Sequence, residues 1–545
     1  MATVQETQDA PEKHPYPKDV SPEAPVGVDA KDSPSAAVES EPKLTGLRLA
    51  AVFTVLCLAV FLVALDNTII ATAIPRITDE FQALEDVGWY GSSYLLTTCM
   101  FQLVFGKLYG YFPIKLVFLA GVVIFEIGSA VCGAAPTSVA LIVGRAIAGL
   151  GASGIFQGAM VIVAYSVDPR QRPMYNGIFG SIYGISSIIG PLLGGAFTSH
   201  VTWRWCFYIN LPIGAVVIVI LAVFLQIPPI IHSQSDRKTL IEHMDPLGIV
   251  AFLPAIVCLL LAVQWGGTTY PWSNVRIIVL FVLARLLLVA FIAIQLTLQE
   301  NAMVPPRILR IFPIAYSSVF MIVFSGAYFT IVYYLPIWFQ AIKSASAVSS
   351  GIMCLPMMLS MVIFSFITGG GVTATGKHLP FFVVATVLST IGAGLVTTFA
   401  TDTGHPKWIG YQVLVGAGVG MGVQLPVITA QAVLPAPDIP VGTAVVTFCQ
   451  TFSGAIFVAV SQALFANRLR SGILTTVPGV SPSIVQQIGA TNLDAVIDAE
   501  YMPAVRKVYN EALVSTWYLA VALFGVSVGV VGGMAWKRRK HARAM

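Results

Sequence analysis

The sequence predicts an all-α polytopic membrane protein with fourteen transmembrane helices, and three observations lead to this fold class. Of its 545 residues, 56% are hydrophobic and only 10% are charged, against roughly 25% charged in an average soluble domain. Apolar runs of about 20 residues, the length needed to cross a hydrocarbon core, recur from residue 47 onward. The charges lie mostly in the N-terminal tail, in the gaps between runs and at the C-terminus. Lipid is therefore the expected solvent for most of the chain.

Each predicted helix is one apolar segment bounded by polar, Gly-rich or Pro-rich gaps. The segments run over residues 47–70, 89–108, 114–134, 138–164, 174–198, 206–227, 245–265, 275–297, 314–338, 348–370, 379–399, 407–431, 441–465 and 514–535. Because their number is even, both termini are expected on the same side of the membrane.

The distribution of Lys and Arg between the short connections predicts which side that is. One set of connections and the C-terminal tail carry Lys107, Lys115, Arg170, Arg172, Arg237, Lys238, Arg307, Arg310, Lys377, Lys537, Arg538, Arg539, Lys540 and Arg543. The opposite short connections carry only Arg76, Arg204, Arg276, Lys343 and Lys407. Positive charge favours the cytosol, so both termini are predicted to be cytosolic.

A weak internal repeat with a period of about eight segments predicts two halves. Asp168-Pro169 leads to Gly177 after the fourth segment, and Asp438-Ile439-Pro440 leads to Gly442 after the twelfth. The predicted parts are a disordered cytosolic tail 1–44, an N-terminal six-helix bundle 47–227, a cytosolic linker 228–244, two inserted helices 245–297, a C-terminal six-helix bundle 314–535 and a basic cytosolic tail 536–545. The second bundle includes an extracellular loop, 466–513, whose mixed pattern favours short amphipathic helices on the outer face. Secondary transporters are built from such repeats, with the substrate between the halves near the midplane.

Apart from residues within two positions of a segment end, four charged residues lie inside the predicted helices, where charge is costly and therefore a functional candidate. Counting residues from the helix ends places Asp66 and Arg145 at a similar depth. A carboxyl that alternates between an Arg partner and a drier cavity would bind and release a proton, and a static structural ion pair is the alternative. For Glu126 and Arg285 a buried polar contact between helices and a role in substrate or proton handling both stay open.

Two further sets of residues are candidates for packing or for ligand contact. Gly190, Pro191, Gly194 and Gly195 predict a bent helix that packs closely on a neighbour, which either only packs or also serves as a rocking surface. Aromatic and amide side chains with few charges suit a bulky amphipathic ligand. The candidates for lining such a cavity are Gln157, Tyr328, Tyr333, Trp338, Gln424 and Gln450.

Motifs of soluble enzymes and of metal sites are missing from the sequence. The seven cysteines are scattered singly, so they predict neither a disulfide framework nor a zinc site. There is no P-loop, no G-x-S-x-G elbow and no H-E-x-x-H. The chain is therefore expected not to be an enzyme and to need no cofactor or metal. Without a nucleotide-binding motif its energy is expected to come from an ion gradient, unless a partner subunit supplies it.

Four motifs in order resemble the fourteen-span drug:proton antiporter family of the major facilitator superfamily. These are Leu65 to Pro75 with the membrane acid Asp66, Gly144 to Gly151 with Arg145, the antiporter motif Gly190 to Gly195, and Trp203 to Gly214. The resemblance implies two pseudo-symmetric six-helix bundles plus two inserted helices, and assigns proton transfer to the Arg of the second motif.

The loop between the second and third segments departs from the family pattern. Its inner-gate residues Gly106, Lys107 and Lys115 are present, but Gly110 stands where the family has an Asp. The charge relay of the inner gate is therefore expected to be weakened or replaced. This degenerate form resembles fungal members that export mycotoxins, other secondary metabolites and fungicides.

The resemblance implies a plasma-membrane efflux pump, working as a monomer, that exchanges protons for a small amphipathic toxin, secondary metabolite or drug by alternating access. Its expected partners are this substrate and the lipid bilayer, without nucleic acid. The alternative is an importer or symporter of the same fold for a siderophore or an amino acid, located in the vacuolar membrane.

Overall fold

The computed structural model describes residues 46–83, 86–226, 243–267, 269–477, 479–481 and 497–544, and within these ranges the chain forms α-helices and no β-strand. The helices are α1 (Gly46–Phe81), α2 (Val87–Tyr111), α3 (Ile114–Ala134), α4 (Ser138–Ser166), α5 (Arg172–His200), α6 (Trp205–Tyr208), α7 (Asn210–Phe224), α8 (Pro246–Trp265), α9 (Val275–Leu298), α10 (Pro306–Arg310), α11 (Phe312–Lys343), α12 (Ala347–Met353), α13 (Leu355–Thr375), α14 (Leu379–Val396), α15 (His405–Gly422), α16 (Leu425–Val433), α17 (Ile439–Thr476) and α18 (Met502–Ala544). The predicted tail 1–44, most of the linker 228–244 and the middle of the 466–513 loop lie outside the described residues.

Every predicted transmembrane segment corresponds to helix in the structure. In the described part of the chain, thirteen helical stretches are long and apolar enough to cross a membrane. The fourteenth predicted segment is α2, which has 25 residues and is thus long enough to span. Three segments are each divided into two helices, α6–α7, α12–α13 and α15–α16. In the last two, Pro356 and Pro426 begin the second helix, because proline has no N–H to continue the first.

The largest difference from the predicted segment ends is at the 466–513 loop. Its described ends are continuous turns of α17 and α18, which extend to Thr476 and from Met502, and not separate helices lying on the surface. Leu469 and Ile473 of α17 are buried in the same core cluster as Val505 of α18. At the described ends of the loop the mixed pattern thus reflects the mutual packing of two long helices, and the amphipathic helices predicted for its middle lie outside the described residues.

The two bundles repeat the same helix pairings. In the first bundle α3 packs on α4, α2 on α4, and α1 on α5; in the second, α14 packs on α15, α13 on α15, and α11 on α17. Contacts between the bundles repeat too, since α5 packs on α13 and α2 packs on α17. The fold is therefore two pseudo-symmetric six-helix bundles, although the residue limits given above for each part remain a prediction.

The inserted helices α8 and α9 lie at the side of this twelve-helix core. They pack mainly on each other, and α8 also contacts α2 and α17 at one seam between the bundles. Only Ile277, Ala284 and Gln295 of α9 are buried. The outer surface of α9 is therefore available to lipid.

Candidate functional site

The centre of the N-terminal bundle holds a buried ion pair between α1 and α4. Arg145 Nη1 lies 2.5 Å from Asp66 Oδ2, and both side chains are fully buried. Arg145 Nε also donates to the carbonyl of Tyr90 at 2.8 Å, and the guanidinium lies 4.4 Å from the centroid of the Tyr94 ring. The structure thus brings together the two residues that the sequence placed at one depth.

An amide from the start of α7 completes this pair. Asn210 Nδ2 donates to Asp66 Oδ1 at 3.3 Å and to Ser129 Oγ of α3 at 3.0 Å. Asp66 therefore accepts hydrogen bonds from side chains of two other helices, α4 and α7. Asn210 was not predicted as a site residue, although it lies inside the Trp203 to Gly214 motif.

The glycines of the antiporter motif hold α5 against the turn of α1 that follows Asp66. A side chain at Gly190 would overlap Thr68, and one at Gly194 would overlap Thr72 and the backbone of Ile69. Gly195 instead faces the second bundle, with Val348 4.0 Å from the position a Cβ would take. Close packing next to the ion pair is therefore the role that these contacts support for Gly190 and Gly194.

Glu126 is a residue of α3, one turn before Ser129, and its side chain points toward α7. Its carboxyl group presses against Gly214, where any side chain on α7 would overlap it. Both carboxyl oxygens are shielded from solvent and have no hydrogen-bond partner among the described residues. Glu126 thus belongs to the same helix junction as Asp66.

Arg285 does not belong to this junction. Its side chain is exposed on the outer surface of α9, so the interpretation as a buried contact between helices was wrong for this residue. Hydropathy alone could not distinguish a buried Arg285 from one on the outer surface of the helix, because in both cases the Arg lies within an apolar run.

The two bundles are joined by hydrogen bonds on the predicted cytosolic half of the molecule. Gln157 Nε2 of α4 donates to the carbonyl of Pro440 at 2.8 Å, and Gln157 Oε1 accepts from Thr447 at 3.1 Å. Next to them Arg172 Nη1 donates to the carbonyl of Gln431 at 3.0 Å, and Asn176 Nδ2 to Gln431 Oε1 at 2.7 Å. Gln157, predicted to line a cavity, is therefore part of the closed cytosolic contact in this conformation.

The inner-gate residues take three different positions. Gly106 of α2 packs directly on Ala444 of the second bundle. Lys107 is almost fully buried, and its Nζ lies 3.4 Å from the carbonyl of Asn301, in the connection after the inserted helices. Lys115 instead donates to the carbonyl of Ala222 at the end of α7, so it stabilises the first bundle alone.

That connection carries its own ion-pair network. Arg307 lies 3.1 Å from Glu300 and 2.8 Å from Asp438, which precedes α17. The hydrogen bonds from Arg307 to Asp438 and to Glu300 raise the pKa of the guanidinium above its usual value. The acidic partners at this gate thus come from the inserted segment and the second bundle, and not from the missing family Asp.

The candidate cavity residues of the second bundle separate into two groups. Tyr328 is half-buried near Tyr183 of the first bundle, Tyr333 keeps 49% of its surface exposed, and Gln424 packs against Gly180 of α5. Gln450 is half-buried on α17. Gln424 is buried in the contact between the bundles, and a role of these four residues in lining a substrate cavity stays a prediction.

Trp338 is different from these four. It is fully buried, and its Nε1 donates to Asn510 Oδ1 at 2.7 Å. Its ring packs on Phe399 and Trp517, at centroid distances of 4.7 and 6.5 Å. The expectation that Trp338 lines a substrate cavity is therefore wrong for this conformation, because its polar and apolar surfaces are both occupied by the bundle.

Comparison with known sequences decides the family. The profile of the Major Facilitator Superfamily matches residues 56–458. The chain belongs to this superfamily. It is accordingly a multi-pass membrane transporter of small molecules and not an enzyme.

Curated relatives of the transporter are fungal proteins of similar length. The MFS acetylaranotin efflux transporter ataA of Aspergillus terreus is 65% identical over 87% of this chain and 96% of the relative. The MFS-type efflux pump MFS1 of Arthroderma benhamiae is 56% identical over 92% and 94%, and the efflux pump roqT of Penicillium rubens is 48% identical over 97% of both chains. The predicted resemblance to fungal efflux pumps is confirmed.

Solved structures support the fold of the transporter. The human organic anion transporter MFSD10 superposes with a TM-score of 0.59 at 14% identity, covering 89% of this chain and all of that one. The proton:xylose symporter XylE gives a TM-score of 0.57 at 11% identity, covering 88% and 94%. The predicted fold class is confirmed.

Proposed function

We propose that this transporter exports an amphipathic fungal secondary metabolite across the plasma membrane, in exchange for protons and by alternating access. The observation that carries the proton coupling is the fully buried Asp66–Arg145 pair. A buried ion pair contributes little net stability, because desolvation offsets much of the attraction. Its retention in an otherwise apolar bundle therefore supports a functional role for the charges.

Export is supported by the similarity to relatives named as efflux pumps. The aligned residues extend over most of the chain, including both bundles and the inserted helices. The similarity is therefore not limited to one bundle or to a few motifs. An acetylaranotin-like compound is the first substrate to test, because the relative named for it is 65% identical. The alternative, import of a siderophore or an amino acid, has no comparable support.

Alternating access is supported by the position of the bonds between the bundles. Gln157, Arg172 and Gln431 join the two halves on the predicted cytosolic side, and these contacts must break for a substrate to enter from the cytosol. These contacts are hydrogen bonds between uncharged groups or from Arg172 to a carbonyl, which can break and form again in a reversible gate. In the predicted orientation, with both termini in the cytosol, these contacts close the inner side.

The test is accumulation of acetylaranotin in an efflux-deficient yeast strain that expresses the transporter fused to a fluorescent protein. We expect lower accumulation with the wild type than with empty vector, and fluorescence at the plasma membrane. Asp66→Asn should abolish the difference, whereas the matched control Asp402→Asn, an exposed carboxylate, should retain it.

A protonophore should raise accumulation in wild-type cells to the level of Asp66→Asn cells. Equal accumulation with wild type and vector would argue against export of this compound class. Efflux that persists in Asp66→Asn and in the presence of the protonophore would refute proton coupling, and higher accumulation with the wild type would favour the importer.

A further inference from the structure

Three polar groups around Asp66 have no hydrogen-bond partner among the described residues. They are both carboxyl oxygens of Glu126, Nη2 of Arg145 and Oδ1 of Asn210. A buried polar atom without a partner typically costs about 1–3 kcal/mol. A set of such atoms in one junction therefore calls for an explanation, and the set contains both donors and acceptors.

The geometry places Glu126 within reach of this junction. Ser129, three residues along α3, already accepts from Asn210, and Gly214, which Glu126 contacts, lies four residues after Asn210 on α7. Residues at this helical spacing lie about 5–6 Å apart. Asn210 donates to both Asp66 and Ser129, so it connects the Asp66 carboxyl group to the turn of α3 that carries Glu126.

The charges of the junction do not balance if both acids are ionised. Arg145 on α4 provides one positive charge, whereas Asp66 on α1 and Glu126 on α3 could provide two negative charges. The other titratable groups of the described residues near this junction are Tyr94 of α2, whose ring lies against the guanidinium, Cys206 and Tyr208 of α6, and Cys132 of α3. Helix α7 has no charged residue. An unpaired carboxylate without hydrogen bonds is strongly unfavourable in such surroundings.

We propose that Glu126 is a second proton-binding site, and that one proton alternates between Glu126 and Asp66 while Arg145 pairs with whichever acid is ionised. In the conformation described here Asp66 is ionised and Glu126 holds the proton. In the alternate state the proton leaves a Glu126 oxygen and binds an Asp66 oxygen. The Arg145–Asp66 contact then breaks, and the guanidinium, whose Nη2 is unpartnered, contacts Glu126. The net charge of the junction is the same in both states.

The predicted topology sets the order in which a proton would meet the two sites. In the predicted orientation α3 runs from the cytosolic to the outer side, so Glu126 lies one turn nearer the cytosol than Ser129 and the Asp66 contact. A proton that enters from outside would reach Asp66 first and Glu126 second. The inference rests on the proposed proton coupling and names the second carrier within it.

Infrared spectroscopy of the purified full-length transporter tests the proposal without any transported compound. In maltoside micelles, which have no ester carbonyl, we expect the wild type at neutral pH to show the carbonyl band of a protonated, buried carboxyl group. Glu126→Gln should lose this band. Glu511→Gln, which changes an exposed glutamate, should keep it.

Asp66→Asn distinguishes proton exchange from a permanently neutral glutamate. If Arg145 compensates the charge of whichever acid is ionised, it has no charged partner in Asp66→Asn. Glu126 then ionises beside it, and the carbonyl band disappears. A band that remains in Asp66→Asn would overturn the exchange, and a band that remains in Glu126→Gln would overturn the site itself. Both outcomes are independent of whether acetylaranotin is transported, so they are separable from failure of the proposed function.

Discussion

The junction of α1 with α7 and its counterpart in the second bundle, the junction of α11 with α18, occupy equivalent places but use opposite chemistry. In the first, Asn210 donates to Asp66 beside Arg145. In the second, Asn510 accepts from the indole of Trp338 and donates to the carbonyl of Phe399. One asparagine serves a charged pair, and the other closes an aromatic cluster.

The difference shows that equivalent helix packing does not impose equivalent chemistry. Trp338 and Asn510 satisfy one another and pack with Phe399 and Trp517, although the indole N–H of Trp517 has no partner among the described residues. No ion pair takes part in these contacts, so this junction is suited to rigidity. The junction of the first bundle keeps polar atoms unpaired around its charges, so it can exist in more than one hydrogen-bonding arrangement. We therefore expect proton coupling to depend on the first junction and folding stability on the second.

The largest effect is expected from Arg145→Ala. Removing one partner of a buried ion pair costs about 3–5 kcal/mol, because the other charge is left uncompensated. We expect proton-driven efflux to fall at least roughly tenfold, equivalent to about 1.4 kcal/mol in the rate-limiting step, as measured by initial rates in proteoliposomes with an imposed pH gradient. Arg285→Ala, at the exposed arginine of α9, is the control. Wild-type rates in Arg145→Ala would remove the functional distinction between the two junctions.

A smaller and equal effect in both bundles is expected from methyl groups at packed glycines. Alanine at Gly151 would overlap the backbone of Phe125 in the first bundle, and alanine at Gly416 would overlap the backbone of Met357 in the second. Overpacking of this kind costs about 1–3 kcal/mol, so both variants should lower the thermal denaturation temperature. Gly410→Ala, which meets no atom within 4 Å, should leave it unchanged. A large difference between Gly151→Ala and Gly416→Ala would contradict the symmetry of the packing.

The two asparagines should separate stability from coupling. Asn510→Ala leaves the indole N–H of Trp338 buried without an acceptor, at a cost of about 1–3 kcal/mol, and should lower the denaturation temperature while leaving the pH dependence of efflux unchanged. Asn210→Ala should change the pH dependence, since it removes a hydrogen bond to Asp66. Efflux measured across a pH series, alongside thermal unfolding, gives both quantities. The same change in both variants would mean that the junctions do not differ in function.

The smallest effect is expected from Arg307→Gln on the cytosolic face. The Arg307 side chain is about half exposed, and exposed ion pairs typically contribute about 0–1 kcal/mol. Thermal stability should therefore change little and become less sensitive to salt. A loss of stability comparable to that of Arg145→Ala would show that the inserted segment holds the two bundles together.

Much of the fold followed from the sequence because hydrophobic length and spacing are imposed by the bilayer itself. Each of the fourteen apolar segments is helical, and the paired motifs near Gly177 and Gly442 indicated the repeat. Helix ends were less predictable, because α17 and α18 continue through mutual contacts between residues far apart in sequence. Local hydropathy contains no information on such contacts.

The candidate site followed from the sequence only in part. Asp66 and Arg145 were recognisable because charge inside a membrane is rare, and their depths could be counted along helices. The positions of Trp338, Gln157 and Arg285 were not predictable, since an aromatic, an amide or an arginine within an apolar run can face lipid, cavity or core. Asn210 could have been found by asking which polar residue near the start of the sixth segment lies at the level of Asp66.

The sequence by itself determined a helical membrane protein with two halves, four intramembrane charges and a gate that lacks its usual acid. The tertiary structure decided which charges meet, because the contact of Asp66 with Arg145 and Asn210 joins residues up to 144 positions apart. It also decided that Glu126 lies beside them and that Arg285 lies outside. Side-chain pairing in a bundle depends on helix rotation and neighbour choice, which arise from packing over the whole surface of each helix and not from any local segment.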